Sequence, residues 1–401
     1  MTMSGVLVIL PRFPSAATRS VVAGLEVASR ALPTLPALSV VHNISEAVEG
    51  ISKGVLEGKI AVAERKKSES VIDQKTVKGL WNCGFRNFIF VGGKHEALDA
   101  LNLEEIALEL SLNLKIQLIP DDFTNSLFGT QHCLGYGSLA YSFAVWIAGE
   151  DFDNASFFNG IKVLVTPDRD AGWIALASTL SSQLQAARSI HNIGPHVICL
   201  PEQTFCSREF VTRVTHAFQR YGRATVVVAE AVMSQISGIA LPTSDQNSSA
   251  GIAALQLSEF WIGLLQNSPV RENAPIRSEF IPTYHKTLIQ KLSDSDRTES
   301  YSLAAQALQN IFTATASNGM IGMRSVATNN GYKCEFIATP FEMAAYKQHR
   351  VPACFFPDAN GSVSNAFLKY TQPLMHCSVN LKEMQKVRDK NRASPQWDLA
   401  Q

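Results

Sequence analysis

The sequence predicts an α/β fold in which helices cover largely parallel sheets on both faces. Short apolar runs of strand length, such as residues 161–166 and 224–229, alternate with longer segments that repeat apolar residues at helical spacing. Strands that alternate with helices in this way are typical of parallel sheets. The length of 401 residues allows two domains of this kind, each with a sizeable core.

The composition argues against several classes of function. Apolar residues make up 46% of the chain and charged residues 17%, and the 35 basic and 35 acidic side chains cancel to a net charge of zero. A chain without excess charge has no electrostatic reason to bind nucleic acid or an anionic membrane surface. No run approaches the roughly 18 apolar residues that a membrane helix needs. We therefore expect neither a nucleic-acid partner nor a membrane partner.

The cysteines and histidines predict neither disulfides nor a metal site. The seven cysteines are scattered, odd in number and without a CxxC pair, and the nine histidines show no HExxH spacing. Such a set of thiols is typical of a reducing compartment. The first apolar run, at 6–10, is too short for a signal peptide and is followed directly by Pro11. The sequence therefore predicts a cytoplasmic protein without metal ligands.

The chain begins with a predicted strand at 6–10 and a helix at 15–31, for which Ser15 is the expected N-cap. The same order of strand, loop and helix opens nucleotide-binding folds. The loop at 11–15 contains no glycine, however, and backbone N–H groups approach a phosphate closely where glycine leaves room. We therefore interpret this loop as a structural turn.

A glycine pair follows the next predicted strand. Residues 32–80 show no clear pattern until a helix predicted at 74–83, which precedes a short buried strand at 88–91. That strand ends in Gly92 and Gly93, and Lys94 opens the following helix. Glycines at a strand end leave room for a ligand.

The middle of the chain carries the candidate site. A strand at 116–119 ends in Asp121 and Asp122, and the strand at 161–166 is followed by Arg169 between two further aspartates. In open α/β sheets, ligands bind outside the carboxyl ends of the strands. Two strands that both end in charged residues therefore predict one ligand site.

The second half of the chain repeats the alternation of strands and helices. The predicted elements are, in order, a helix at 171–187, a strand at 196–200, a helix at 207–221, a strand at 224–229, a loop at 235–250, a helix at 251–266, and a helix at 301–317 opened by capping-box residues from Ser293 onward. The chain ends in a polar tail that we expect to fray.

Several motifs, in order along the chain, resemble the phosphofructokinase family. The segment Asp168–Ser178, which reads DRDAGWIALAS, resembles the family signature Met-Gly-Arg-His-Ala-Gly-Trp. The other matching segments are Pro120–Leu127 against Pro-Lys-Thr-Ile-Asp-Asn-Asp-Leu, Gly135–Ser138 against Gly-Phe-Gly-Ser, Pro201-Glu202 against Pro-Glu, Val226–Glu230 against Val-Val-Val-Ser-Glu, and Tyr284–Thr287 against Tyr-Leu-Gln-Arg. The resemblance covers residues 80–325 and is closer to the pyrophosphate-dependent branch.

The resemblance implies a phosphofructokinase-like α/β fold with two Rossmann-like, three-layer αβα domains and largely parallel sheets. It places an N-terminal α/β domain, on the phosphoryl-donor side, at 1–145 and a C-terminal α/β domain, on the sugar-phosphate side, at 146–385. Part of 280–325 is expected to return to the first domain, and 386–401 forms the polar tail. The resemblance also implies a homodimer or a higher oligomer.

Departures from the family pattern fall on the residues of phosphoryl transfer. Thr124 stands where the family has its general base, an aspartate, and a threonine hydroxyl cannot act as a base near neutral pH. Asp121 replaces the lysine that meets the donor phosphate, and Lys94 replaces a metal-binding carboxylate. Phosphoryl transfer depends on positioned cations and Mg²⁺, so each reversal should cost orders of magnitude in rate.

Some residues of the donor side remain candidates. Asp122 lies two residues before the lost base and is the carboxylate that an active, rearranged site would use in its place. The candidates for contact with a cofactor or its phosphates are Gly92, Gly93, Arg12 and Lys94.

The sugar side of the site is closer to the family pattern. The resemblance assigns Arg169, Glu202, Tyr284 and Gly172 to substrate binding, and an arginine suits a phosphate because it can donate two parallel hydrogen bonds. Two structural alternatives remain open. Arg169 could instead form an ion pair with a neighbour such as Asp170, and Glu202 could instead cap a helix.

Together these observations predict a phosphofructokinase-family protein of glycolytic type that binds fructose 6-phosphate but is catalytically impaired. It would act as a regulatory or pseudoenzyme subunit, as a homo-oligomer or beside an active paralogue. The alternative is an active pyrophosphate-dependent 6-phosphofructokinase with a rearranged site, for which Mg²⁺ with pyrophosphate would be the cofactors. A third hypothesis places another ligand or chemistry on the same scaffold. The sequence alone leaves open whether the chain is an enzyme.

Overall fold

The computed structural model describes residues 5–11, 15–31, 38–41, 60–64, 72–184, 192–236, 249–268, 274–281, 292–313, 316–328, 331–358 and 361–375. In chain order, its strands and helices are β1 (Gly5–Leu10), α1 (Ala16–Ala31), β2 (Leu38–Val41), β3 (Ile60–Glu64), α2 (Gln74–Asn82), β4 (Phe85–Gly92), α3 (Lys94–Glu109), β5 (Lys115–Pro120), α4 (Tyr136–Asp153), β6 (Ile161–Thr166), α5 (Trp173–Ala177), β7 (Val197–Cys199), α6 (Ser207–Tyr221), β8 (Ala224–Ala229), α7 (Ser249–Gln266), β9 (Ile276–Phe280), α8 (Asp294–Phe312), β10 (Gly319–Thr328), β11 (Gly331–Thr339), α9 (Phe341–Tyr346) and α10 (Asn365–Thr371).

The first sheet contains seven of these strands, in the order β11-β10-β5-β4-β1-β3-β2. Neighbouring strands are parallel, except for β10 and β11, which form an antiparallel hairpin. The side chains of Val6 to Leu10 in β1 are all buried. A strand that is apolar at consecutive positions suits a parallel sheet, because both of its faces are covered.

Helices cover both faces of the first sheet. Successive side chains of a strand point to opposite faces. Val6 and Val8 of β1 pack with α1 and α8, whereas Leu7 and Ile9 pack with α2, α3 and α9. The result is a three-layer αβα arrangement.

The second sheet has the strand order β7-β8-β6-β9, and its pairs are all parallel. Its core is continuous with buried side chains of α4, α5, α6, α7 and α10, and Trp173 and Trp261 are its largest fully buried members. The predicted α/β class with largely parallel sheets is confirmed.

The helix predicted at 171–187 is shorter in the structure. Only α5 is α-helical, and a 3₁₀ segment follows it at Ser178–Gln183. The hydroxyl of Thr179 donates to the carbonyl oxygen of Leu176 over 2.7 Å. Serine and threonine hydroxyls that bond to nearby carbonyls compete with the regular helix ladder, which explains the early end of α5.

The hairpin of β10 and β11 was not predicted from the sequence. The chain returns to the first sheet through α8, β10 and β11, and α9 packs against the same sheet, so this part of the chain includes elements after residue 325. The first residues of β10 pair with β5. This addition covers what would otherwise be an exposed edge of β5.

The described cysteines, which are Cys83, Cys133, Cys199, Cys206, Cys334 and Cys354, are free thiols. Cys377 lies outside the described residues. Among the helices that the structure describes, none is both long enough and apolar enough to cross a membrane.

The starts of α4 and α8 cap each other. The Asp296 carboxylate accepts hydrogen bonds from the N–H groups of Gly135 and Ser138, each over 2.9 Å, and from the Ser138 hydroxyl. In return, the Ser138 hydroxyl oxygen accepts from the N–H of Ser293 over 2.8 Å. Asp296 is 2% exposed, so these donors have no access to water as a substitute.

We expect Asp296→Ala to lower the free energy of unfolding by about 3 kcal/mol, because each buried donor left without an acceptor costs about 1–3 kcal/mol. Chemical denaturation followed by circular dichroism measures the loss. Thr298→Ala, at an exposed position of the same helix, is the matched control and should change the value by less than about 0.5 kcal/mol. A loss below about 1 kcal/mol for Asp296→Ala would contradict this account of the capping.

Candidate functional site

The carboxyl ends of β4 and β5 lie side by side. The two strands pair in register up to Gly92 opposite Pro120, so the turn after β4 lies against the aspartates after β5. The N–H of Asp121 donates to the carbonyl oxygen of Gly92 over 3.0 Å. A Cβ built on Gly93 would lie 3.6 Å from the Cβ of Asp122. The predicted glycine pair and the predicted carboxylates therefore form one cluster.

The glycine pair holds the turn between β4 and α3. Gly92 has a φ of +155°, and a Cβ there would overlap the carboxylate of Glu96. That buried carboxylate accepts a hydrogen bond from the N–H of Gly93 over 2.9 Å. The Gly93 N–H is therefore already bonded within the protein, and the pair acts as a tight helix start.

Asp122 uses both carboxylate oxygens to hold the loop after β5. Its Oδ1 accepts from the N–H and the hydroxyl of Thr124, over 3.0 and 2.7 Å. Its Oδ2 accepts from the N–H and the hydroxyl of Ser126, over 3.0 and 2.8 Å. A carboxylate offers about four acceptor positions, so these four donors satisfy it completely.

Asp121 points towards the start of α1. It accepts a hydrogen bond from the hydroxyl of Ser15 over 2.9 Å and another from the hydroxyl of Thr18. Ser15 also caps α1, as predicted, by accepting from the N–H of Thr18 over 2.9 Å. A negative charge is stabilised at a helix N-terminus, so the acidic residue is well placed there.

Lys94 connects the two sheets. Its Nζ lies 3.6 Å from Oδ1 of Asp170, a residue that follows β6 of the second sheet. The same oxygen accepts from the side-chain amide of Gln348 over 2.9 Å. Both charged side chains are about one-third exposed, and partly exposed ion pairs contribute little free energy. The contact nevertheless shows that the carboxyl ends of the two sheets lie close together.

Arg169 pairs with Glu230, which directly follows β8. The Nε of the guanidinium lies 3.3 Å from Oε2 of the carboxylate. Burial raises the pKa of the Glu230 carboxyl, and the charge of Arg169 opposes that rise. The sequence left open an ion pair of Arg169 with a neighbour such as Asp170; an ion pair is observed, and its partner is Glu230.

The guanidinium of Arg169 is held on one side only. Its side chain is 45% exposed, whereas Glu230 is 1% exposed. Among the described residues, the contact to Glu230 uses Nε, and Oε1 of that carboxylate has no hydrogen-bond partner. In the part of the chain that the structure describes, no hydrogen bond from a terminal nitrogen of Arg169 is found, which makes these nitrogens candidates for contact with an anion.

Glu202 bonds to backbone rather than capping the helix that follows it. Its Oε1 accepts from the N–H of Gly172 over 3.1 Å and from the N–H of Val351 over 3.0 Å. It thereby ties the loop after β6 to the segment that precedes α10.

Asp168 is a buried carboxylate that the sequence did not single out for a role. It accepts from the N–H groups of Ile174 and Ala175, over 2.9 and 2.7 Å, and from the Thr166 hydroxyl over 2.6 Å. Burial outweighs these bonds and raises its pKa to about 7. Its position just after β6 fixes the start of α5 and hence the loop that carries Arg169.

The remaining predicted residues cannot be placed. Arg12 and Tyr284 lie outside the described residues. Sequence reasoning missed the roles of Asp170 and Glu230 as partners of Lys94 and Arg169. The available signal was that both acidic residues come shortly after a buried strand.

The described strand ends do not fit the Mg²⁺ ion that the resemblance implies. Mg²⁺ takes oxygen ligands, chiefly carboxylates and the phosphates of its substrates. Lys94, a cation, stands where the resemblance expects a metal-binding carboxylate. The oxygens of Asp122 are already satisfied by Thr124 and Ser126. We therefore assign no step to a metal at this position.

Comparisons with known proteins agree with these motifs. A family model described as Phosphofructokinase matches residues 42–267. A pyrophosphate–fructose 6-phosphate 1-phosphotransferase of Rhodospirillum rubrum is 26% identical over 296 residues, which cover 72% of this chain and 70% of the relative. A sulfofructose kinase of Alkalicoccus urumqiensis is 25% identical over 265 residues, 64% of each chain.

Solved structures share the fold. A pyrophosphate-dependent phosphofructokinase from Marinobacter aquaeolei superposes with a TM-score of 0.67 at 16% identity, covering 93% of this chain and 92% of the other. The corresponding protein from Nitrosospira multiformis gives a TM-score of 0.66 at 18% identity, with the same coverage.

Proposed function

The chain belongs to the phosphofructokinase family, and we propose that it binds a phosphorylated sugar of the fructose 6-phosphate class while being impaired in phosphoryl transfer. In that case it acts as a regulatory or pseudoenzyme subunit. The observation that carries the proposal is the Asp122 carboxylate, whose two oxygens are satisfied by Thr124 and Ser126.

The contacts of the replaced residues explain why phosphoryl transfer would be impaired. A general base must accept a proton from the substrate hydroxyl. Thr124 cannot do so, and its hydroxyl donates to Asp122, which has no acceptor position left. Asp121 and Lys94, the two charge reversals, have partners within the protein, namely hydroxyls at the start of α1 and Asp170. Each reversed charge thus has a partner within the protein and needs no phosphate donor to balance it.

The proposed binding of a sugar phosphate depends mainly on Arg169. The Arg169 side chain is 45% exposed, and a guanidinium can donate two parallel hydrogen bonds to a phosphate. The buried Glu230 orients it from the other side, and Glu202 fixes the adjoining loop through Gly172. These contacts support a sugar-phosphate site at the carboxyl ends of β6 and β8.

Binding without turnover, as proposed, suggests how such a protein would be used. A subunit that binds the sugar phosphate without consuming it could report its concentration to an active paralogue. The same property would serve a homo-oligomer that responds to the ligand. Both arrangements follow from the proposal, as does a cytoplasmic location beside glycolysis.

Isothermal titration calorimetry of the full chain with fructose 6-phosphate tests the proposal. We expect binding in the wild type and a Kd that rises about 10- to 100-fold in Arg169→Ala, because a charge-assisted hydrogen bond contributes about 1.5–3 kcal/mol. Arg208→Ala, an exposed arginine on α6, is the matched control and should leave the Kd unchanged. Absence of binding in the wild type, or equal affinity in Arg169→Ala, would exclude this site.

A further inference from the structure

A cluster of three metal-ligating side chains lies where the loop that follows β5 meets α8 and β11. His132 comes from that loop, Glu299 from the second turn of α8, and Cys334 from β11. One ligand atom from each residue lies within 4.8 Å of the others. The imidazole Nε2 is 2.9 Å from Oε2 of Glu299. Three elements that are distant in sequence thus converge on one point.

We propose that His132, Glu299 and Cys334 form a binding site for a transition metal of the zinc class. Zn²⁺ accepts this mixture of nitrogen, oxygen and sulfur ligands at about 2.0–2.3 Å. Ligand atoms of a tetrahedral ion therefore lie about 3.3–3.8 Å apart, and small side-chain movements bring the three observed atoms to that spacing. The site is independent of the proposed sugar-phosphate site.

Burial and charge favour a cation at this position. The side chains of His132 and Glu299 are 1% and 5% exposed. Buried charges are costly unless they are paired or coordinate a metal. A divalent ion bound by one carboxylate, one thiolate and one neutral imidazole gives a site with no net charge.

Tyr332 lies beside the three proposed ligands, on the partly exposed side of the cluster. Its hydroxyl donates to Oε1 of Glu299 and lies 3.4 Å from Nε2 of His132. Tyr332 and Cys334 are two residues apart on β11, so both side chains lie on the same face of the strand. Both are partly exposed, which leaves an entry path for an ion and a fourth position for the phenol or a water molecule.

A buried hydrogen bond between His132 and Glu299 without a metal is the simpler explanation, and the position of Cys334 distinguishes it from a metal site. A His–Glu hydrogen bond needs no thiol, yet the sulfur of Cys334 lies beside it. This sulfur interacts with the side chains of Glu299 and Tyr332 and lies 3.8 Å from the carbonyl oxygen of Glu335. A bound ion would take up this sulfur. It would also tie the loop containing His132, which carries Asp122 and Thr124, to α8 and β11.

Metal binding by the full chain tests the proposal. Chain stripped with a chelator and dialysed against Zn²⁺ should retain one equivalent by elemental analysis. Substitution of Co²⁺ should give a sulfur-to-cobalt charge-transfer band together with the visible bands of a tetrahedral ion. In Cys334→Ser, the charge-transfer band should disappear and the affinity should fall by more than about 100-fold, because even ligand-supporting residues account for 10- to 100-fold.

Two controls keep the result interpretable. Cys354→Ser, which changes an exposed thiol elsewhere, should bind one equivalent with unchanged affinity. Circular dichroism of each variant verifies that it is folded. The proposal is overturned if the folded wild type retains less than about 0.1 equivalent after dialysis, or if the charge-transfer band persists in Cys334→Ser.

Discussion

Purified chain supplied with fructose 6-phosphate, Mg²⁺ and pyrophosphate should turn over at least about 10⁴-fold more slowly than an active pyrophosphate-dependent relative assayed beside it. Loss of a general base costs about 10²–10⁴-fold, and loss of one electrostatic contact to the developing charge costs about 10²–10³-fold. Thr124 stands where the family has its general base, and Asp121 and Lys94 each carry a charge opposite to that of the family residue at the same position. Losses of rate from residues that act together are not additive, so we expect a total loss close to the largest single loss, about 10⁴-fold.

A coupled assay that consumes fructose 1,6-bisphosphate measures this turnover, with ATP tested as a second donor. Asp122→Asn is the informative variant, because Asp122 is the remaining carboxylate of the loop and the one that an active, rearranged site would use. Turnover above background that disappears in Asp122→Asn, with the Kd for fructose 6-phosphate unchanged, would establish the active alternative. No turnover in either protein, with intact binding, is the result that we expect.

Individual helices and strands could be predicted because the residues that indicate each of them lie close together in the sequence. The helix at 207–221 has the predicted bounds, since it ends at Gly222, which adopts a φ of +70° that favours glycine. The strand at 224–229 was likewise identified by its continuous apolar run, which a parallel sheet requires. The hairpin of β10 and β11 gave no such signal, because its place in the sheet depends on pairing with β5, about 200 residues earlier.

The candidate site was predictable as a set of positions but not as a set of contacts. The sequence predicted Arg169 and Lys94 as site residues because each follows a strand, and ligands bind outside the carboxyl ends of strands in open α/β sheets. Their partners, Glu230 and Asp170, lie 61 and 76 positions further along the chain, and only the fold brings them together.

The same limit applies to the proposed metal site. His132 and Glu299 are 167 positions apart, so a search for short ligand spacings finds nothing. The sequence therefore predicted no metal, although the fold places three ligand types at one point. Motifs report ligands that share one helix or loop, whereas convergent ligands need the tertiary structure.

Asp151→Ala should lower the free energy of unfolding by about 3–5 kcal/mol, which is typical when one partner of a buried ion pair is removed. Asp151 is 0% exposed, and its carboxylate accepts from the guanidinium of Arg223 over 3.1 and 2.7 Å. It also accepts from the Thr225 hydroxyl and from the N–H of Gly194, over 2.6 and 3.0 Å. The variant leaves these donors buried and unsatisfied. Denaturant titration measures the loss, with Glu105→Ala, an exposed carboxylate on α3, as the control.

The pH dependence provides a second check on this network. Burial alone would raise the pKa of Asp151, but Arg223 and the other donors hold it below its usual value. An aspartate whose pKa is depressed by folding stabilises the protein above its unfolded pKa, and this contribution is lost as the pH falls through the folded pKa. The difference between wild type and Asp151→Ala should therefore be largest near neutral pH and shrink below about pH 4. A difference that is constant from pH 7 to pH 3 would contradict this assignment.

Because Asp151 lies far from Arg169, substituting it distinguishes an effect on stability from an effect on ligand binding. Thr225 lies at the start of β8 and Glu230 follows its end, so about 16 Å of strand separates the Asp151 network from the proposed sugar-phosphate site. Asp151→Ala should therefore leave the Kd for fructose 6-phosphate unchanged under conditions where the variant remains folded, whereas Arg169→Ala should raise the Kd. Arg169→Ala also leaves the buried Glu230 carboxylate without its counter-ion, so its Kd is likewise measured under conditions where the variant remains folded. If Asp151→Ala weakened binding while folded, the amino ends of the second sheet would be coupled to its carboxyl ends, and Arg169 could not be treated as an independent binding residue.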